Sequence, residues 1–127
     1  PINYLSGSIQ DQTARLGEGI EFQLSDHLKG LPAANYIFGV RSNHLSLTQT
    51  GSANTELQST VELSEINGSE TFIHVSYDNS RLVVQEDGVL HHRMGEEVSI
   101  FVNPRSFFVF DTNGELVASP TRGNLDH

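Results

Sequence analysis

Apolar and polar residues alternate with a period of two along much of the chain, as they do in strands with one face on a core. Ile20, Phe22 and Leu24 alternate with Glu21 and Gln23, and Val61 and Leu63 alternate with Glu62 and Ser64. Between positions 72 and 77, Phe72, His74 and Ser76 share one face while Ile73, Val75 and Tyr77 share the other. Tyr36-Ile37-Phe38-Gly39-Val40 is an unbroken apolar run, which predicts a strand buried on both faces. Leu82-Val83-Val84, Val98 to Val102 and Phe107 to Phe110 complete the set of predicted strands. Asn67-Gly68 separates two of these runs and suits a hairpin whose central residues both take positive φ. Asp78-Asn79-Ser80, Asp87-Gly88 and Asn113-Gly114 mark further turns, and Pro104 after Asn103 stops the strand before it. From Glu56 onward the pattern predicts a meander of short strands.

Helical signal is confined to one turn at Ser25-Asp26-His27-Leu28, with Ser25 as its cap and Gly30 and Pro32 ending it. The polar stretch from Thr48 to Thr55 predicts an exposed loop dividing two sub-structures, and Ser119 to His127 a frayed tail. Together these elements predict an all-β domain, either a sandwich or a small barrel.

Composition narrows the class. At 127 residues, with 36% hydrophobic residues and seven Phe, the chain suits one compact domain with a real core. Cysteine is absent, which removes a disulfide framework and thiolate metal sites. The chain opens at Pro1 and its single methionine is Met94, so a piece of a longer polypeptide is expected. Sixteen acidic residues face seven basic ones, for a formal charge of -9. Lys29 is the one lysine and the arginines are scattered singly, a poor basis for binding nucleic acid or an anionic membrane.

Candidate chemistry is sparse. A phosphate-binding P-loop needs a Gly-Lys-Ser/Thr ending, whereas Lys29 is followed by Gly30 and Leu31. Gly17-Glu18-Gly19 reads as a turn, lacking the third glycine and the helix of a dinucleotide fingerprint. His91 and His92 are adjacent, and on a strand they would point to opposite faces, which argues against a shared metal ion. His27, His44, His74 and His127 are isolated in sequence. No Gly-x-Ser-x-Gly elbow is present, and Glu86-Asp87 and Glu96-Glu97 read as solvated charge beside turns. Asn67-Gly68-Ser69 also fits a glycosylation acceptor, although a hairpin turn accounts for it more simply. Catalytic residues, a metal site and a resident cofactor are therefore not expected.

Four segments, in order and in register, carry a resemblance. Pro1-Ile2-Asn3-Tyr4-Leu5 is similar to a Pro-x-Asn-Phe-Leu join that follows a nucleotide-binding domain. Phe38-Gly39-Val40-Arg41-Ser42-Asn43-His44-Leu45 is similar to a Gly-Ile/Val-Arg-Pro-Glu-His-Leu segment. Asn67-Gly68-Ser69-Glu70-Thr71 resembles a Gly-Ser/Asn-Glu-Thr hairpin, and Gly95-Glu96-Glu97-Val98 through Pro104 to Phe110-Asp111 and Gly114 a closing Gly-Glu-x-Val…Pro…Phe-Asp…Gly stretch. These are features of the C-terminal regulatory, transport-associated OB (TOBE) domain of sugar- and glycerol-type bacterial ABC importer ATPases, including the maltose importers. Ser42-Asn43 replaces the usual Pro-Glu, so no role of that glutamate carries over.

The resemblance implies an OB-type fold of small β-barrels built partly from segments distant in sequence, spanning 1–127, with at most one short helix. It implies a non-catalytic regulatory and dimerisation module for carbohydrate, polyol or glycerol-phosphate uptake, whose nucleotide-binding domain, with its ATP and Mg, lies outside this sequence. The implied partners are a second copy or paralogue of the subunit, permease subunits reached through the missing domain, and a regulatory protein. The implied location is the cytoplasmic face of the bacterial membrane. Arg41, His44, Gly68, Ser69, Glu70 and Thr71 are the expected binding or interface surface. The plainer reading is structural, with Arg41 pairing a carboxylate and His44 ending a strand. A second functional reading is a small-ligand sensor in which Arg41, Ser69 and Thr71 contact an oxyanion. A stand-alone hydrolase using His44 or His74 is the third.

Overall fold

The computed structural model describes residues 1–18, 20–49, 51 and 55–121. Among the described residues the strands are β1 (Ile2–Gln10), β2 (Thr13–Leu16), β3 (Glu21–Gln23), β4 (Ala34–Arg41), β5 (Leu45–Ser46), β6 (Thr55–Asn67), β7 (Glu70–Tyr77), β8 (Ser80–Asp87), β9 (Glu97–Val102), β10 (Phe108–Phe110) and β11 (Leu116–Ala118). They form an antiparallel six-stranded sheet, in the order β11-β10-β4-β1-β2-β3, and a five-stranded sheet, in the order β5-β9-β6-β7-β8. The first sheet takes its strands from both ends of the chain and the second from the middle. Each curls toward a barrel, giving the all-β, OB-type architecture that the resemblance implied. Among the described residues, helical structure amounts to single 3-10 turns at Asp26–Leu28, Ser42–His44 and Pro104–Ser106.

β4 organises the first unit. Its inward residues Tyr36, Phe38 and Val40 are buried, and Phe38 meets Phe22 and Phe107 edge-on at 6.4 and 5.5 Å between ring centroids. Phe22 on the edge strand β3 stacks on Phe107, just ahead of β10, at 5.9 Å, which draws the far sides of this sheet together. In the second unit Leu57, Val61, Ile73, Val75, Leu82, Val84, Ile100 and Val102 fill the interior.

Several local expectations change. Alternation does not mark β1 or β2, because β1 turns the polar Asn3 inward and carries Gly7, where a Cβ would stand 2.7 Å from the Arg15 carbonyl oxygen. β6 is long, and its pairing with β7 shifts register between Val61 and Leu63. That bulge turns Leu63 outward, leaving it 49% exposed while Val61 is buried, so the two do not share a face. Asn67 is the last strand residue, paired with Glu70, and the hairpin turn is Gly68-Ser69 with positive φ at Gly68 alone. This is the demand of a turn with glycine in its first central position. Ser25 makes no side-chain cap; the capping side chain is Asn103, whose Oδ1 accepts from the Arg105 amide at 3.0 Å. β6, β7 and β8 do follow one another as a meander, but β9 returns beside β6 and β10 crosses to the first sheet. Half of the Thr48–Thr55 loop and most of the C-terminal tail lie outside the described residues.

Candidate functional site

Arg41 ends β4 and is exposed, with its guanidinium 5.7 Å from the centre of the Phe108 ring. The partner found is thus an aromatic face rather than the carboxylate of the plainer reading. The 3-10 turn that follows carries His44, which is half-buried. Burial first, and the neighbouring Arg41 charge second, hold its imidazole below the usual histidine range, so it is a neutral ring near pH 7.

This turn packs against β8, and Asn3 is buried there as well. Its Oδ1 accepts from the Val83 amide at 2.7 Å and its Nδ2 donates to the Val83 carbonyl at 2.9 Å. One carboxamide therefore mimics a strand neighbour along the edge strand β8 and joins the two barrels. Three residues further along, a Glu86 carboxylate oxygen accepts from Ser46 Oγ at 3.1 Å and from the Leu47 amide at 2.8 Å. Those bonds bridge β8 and β5, the two outer strands of the second sheet, so Glu86 closes that barrel and is not merely solvated charge.

The Gly68–Thr71 hairpin is built in a similar way. Thr71 is fully buried, and its hydroxyl donates to the Gly88 carbonyl at 2.7 Å and accepts from the Leu90 amide at 3.0 Å. The Gly88 amide donates to the Ser69 carbonyl at 2.6 Å. Glu70 accepts from the Gln85 amide group across the β7–β8 pair. Thr71 therefore fastens the connection between β8 and β9 and is not part of an exposed surface. Arg41, His44 and the hairpin are linked through β8, which the turn carrying His44 packs on and which pairs Thr71 with Glu86.

Three other histidines have polar partners, two of them close in sequence. His74 lies 2.6 Å from Glu65, His92 lies 3.1 Å from Glu96, and His27 Nε2 is 2.7 Å from the Phe107 carbonyl. His91 and His92 sit in the connection after β8 rather than on a strand. A hydrogen bond from the Arg93 amide, followed by one from His92, holds Glu96 below the usual carboxylate range. A groove of about 540 Å³ opens beside the β6 bulge, between Leu63, His74, Arg81 and Met94.

Sequence reasoning gave Asn3 no role, although it stood inside a quoted motif, and read Glu86 as solvated. It also overlooked the outward face of β1, β4 and β10. The signal for that face was the run Phe107-Phe108-Val109-Phe110, since an unbroken apolar strand offers apolar side chains to both sides.

The molecule is thus defined as a pair of interlocked small β-barrels of OB type. The cytoplasmic molybdate-binding protein ModG, solved with molybdate bound, shares this fold with a TM-score of 0.65 at 14% identity, over 84% of this chain and 94% of that one. The family model of the TOBE domain matches residues 38–110, and the chain belongs to that family. It is also 30% identical over 90 residues to the multiple sugar-binding transport ATP-binding protein MsmK of Streptococcus mutans. That alignment takes in 68% of this chain and 24% of the relative, so the chain spans about a quarter of the relative's length.

Proposed function

We propose that this chain is the regulatory module of an ATP-binding subunit in a carbohydrate or polyol importer, and that it acts by pairing with a second copy or a paralogue of the same subunit. The observation that carries this reading is the TOBE match over β4 to β10 together with the likeness to a sugar-transport ATP-binding protein. Pairing of regulatory domains raises the effective concentration of the attached catalytic halves, so that they can separate and re-engage without dissociating. In this reading the ATP and Mg chemistry belongs to another domain of the subunit, and the module contributes no catalytic group. Its permease partners are reached through that other domain, at the inner face of the membrane.

The test is the reading frame upstream of the Pro1 codon in the source gene. An in-frame ATPase domain with a P-loop is the expected result; an unrelated domain overturns the importer reading. The oxyanion-sensor alternative draws on the ModG fold alone, and it loses one proposed contact because the Thr71 hydroxyl proton is committed to Gly88. Calorimetry with molybdate, phosphate esters and sugars checks it, and heat on titrating any of them would revive it.

A further inference from the structure

The outward face of the first sheet is apolar where a solitary domain would be polar. Tyr4, Gly39 and Phe108 lie in one row across β1, β4 and β10, and Ile37, Phe110 and Leu116 in the next across β4, β10 and β11. A Cβ on Gly39 would meet Phe110, Ile2 and Tyr4 side chains within 3.5 Å, so those three groups converge above it. Tyr4 and Phe110 meet edge to face at 6.0 Å. Yet Ile2, Tyr4 and Leu116 remain 39%, 54% and 53% exposed. A contiguous patch of this kind marks an interaction site.

Charge singles out the occupant. The chain carries sixteen carboxylates, but none falls within 2–6, 35–41, 108–110 or 116–118, the segments that build this face. Two copies with a net charge of -9 each can therefore approach here with the least repulsion. The rim is polar at both ends and opposite in sign. Arg41 stands beyond Phe108 at one end, and Asp111 and Glu115, in the turn between β10 and β11, stand beyond Phe110 at the other. Because β10 runs antiparallel to β4, these ends lie roughly 17 Å apart at the strand rise per residue. A two-fold axis through the centre of the patch brings each copy's cation onto the other's carboxylates, the self-complementarity that a symmetric dimer requires.

We propose that this face, centred on Tyr4, Gly39 and Phe110, is the surface through which two copies of the chain pair, with Arg41 of each copy set against the Asp111–Glu115 turn of the other. The proposal rests on the pairing reading above and adds the surface and its orientation.

The test is sedimentation of the 127-residue chain and four variants over a range of concentrations, with circular dichroism to confirm folding. The wild-type chain is expected to reach a mass near twice 14.0 kDa. Tyr4→Ser, Arg41→Glu and Glu115→Arg should each weaken pairing by about tenfold or more, and the double reversal R41E/E115R should recover it to within about threefold of wild type. A dimer that none of the variants weakens overturns the face but leaves pairing intact. Singles that weaken it without recovery in the double variant overturn the two-fold orientation. A wild-type chain that stays monomeric at every concentration overturns the second copy as occupant. Binding of the separately purified ATPase domain to that monomer, lost in Tyr4→Ser, would then identify the other occupant.

Discussion

Asn3 shows how one side chain can hold a boundary that strands alone do not. Its carboxamide offers one donor and one acceptor at the spacing of a peptide group, and both meet Val83 on the other barrel. Asn3→Leu removes both partners and leaves the half-buried amide and carbonyl of Val83 unpaired, which should cost about 1–3 kcal/mol in a urea titration. Asn3→Asp is the sharper probe. It keeps an acceptor for the Val83 amide but sets a buried carboxylate against the Val83 carbonyl, so its loss should be at least as large despite the near-identical shape. Tyr77 makes the second such link, donating to the Leu16 carbonyl at 2.5 Å. Burial first and Asp78 second push its phenol up to about 12 from the ordinary 10.0. The unfolded chain therefore releases this proton before the folded one does. Between those two pH values the folded state binds more protons, so stability falls as pH rises through that window and levels off above it. Denaturant titrations at stepped alkaline pH should show this fall in the wild type, and Tyr77→Phe should lack the share due to this group.

At the scale of elements, the strands with regular alternation or unbroken apolar runs were legible from the sequence: β4, β7, β8, β9 and β10 all fall on them. What escaped was structure that depends on distant partners. β1 hides behind Asn3 and Gly7, whose reasons lie in β8 and β2. The turn from β1 to β2 uses Asp11 and Gln12, both at positive φ without a glycine, and Gln12 is held there by accepting from the Leu24 and Gly30 amides. The candidate site was half legible, since the residues of the motifs were visible in sequence but the use of their side chains was not. Thr71 looked like a surface hydroxyl until Gly88 and Leu90 came to meet it, and Glu86 like free charge until β5 closed on it. The closure by Glu86 can be tested on its own. Glu86→Ala removes the acceptor for Ser46 and Leu47 and should cost about 1–2 kcal/mol, whereas Glu86→Gln keeps an acceptor and should cost less. Amide exchange at Leu47 should be slow in the wild type and in Glu86→Gln, and fast in Glu86→Ala.

At the scale of the molecule, the chain path decides how the two barrels share stability. The first barrel is closed by β10 and β11, which the chain reaches only after completing the second, so the first unit is not a contiguous piece that can be cut away. The first barrel needs its two ends brought together, and the folded second barrel supplies that closure by shortening the loop between β4 and β10. Asn3 and Tyr77 then add direct bonds across the boundary. Coupling by both topology and buried hydrogen bonds predicts a single thermal transition, with calorimetric and van't Hoff enthalpies that agree. Two separate transitions in the wild-type chain would show that the interlocked path does not couple the units. Removing both links in Asn3→Leu/Tyr77→Phe should spare the topological part alone. The double variant is therefore expected to broaden its transition and drop the van't Hoff enthalpy below the calorimetric one, with the second barrel, whose strands are contiguous from β5 to β9, surviving to the higher temperature. If the two enthalpies still agree in that variant, the boundary bonds stabilise the fold without being what makes it cooperative, and the interlocked path carries the coupling by itself.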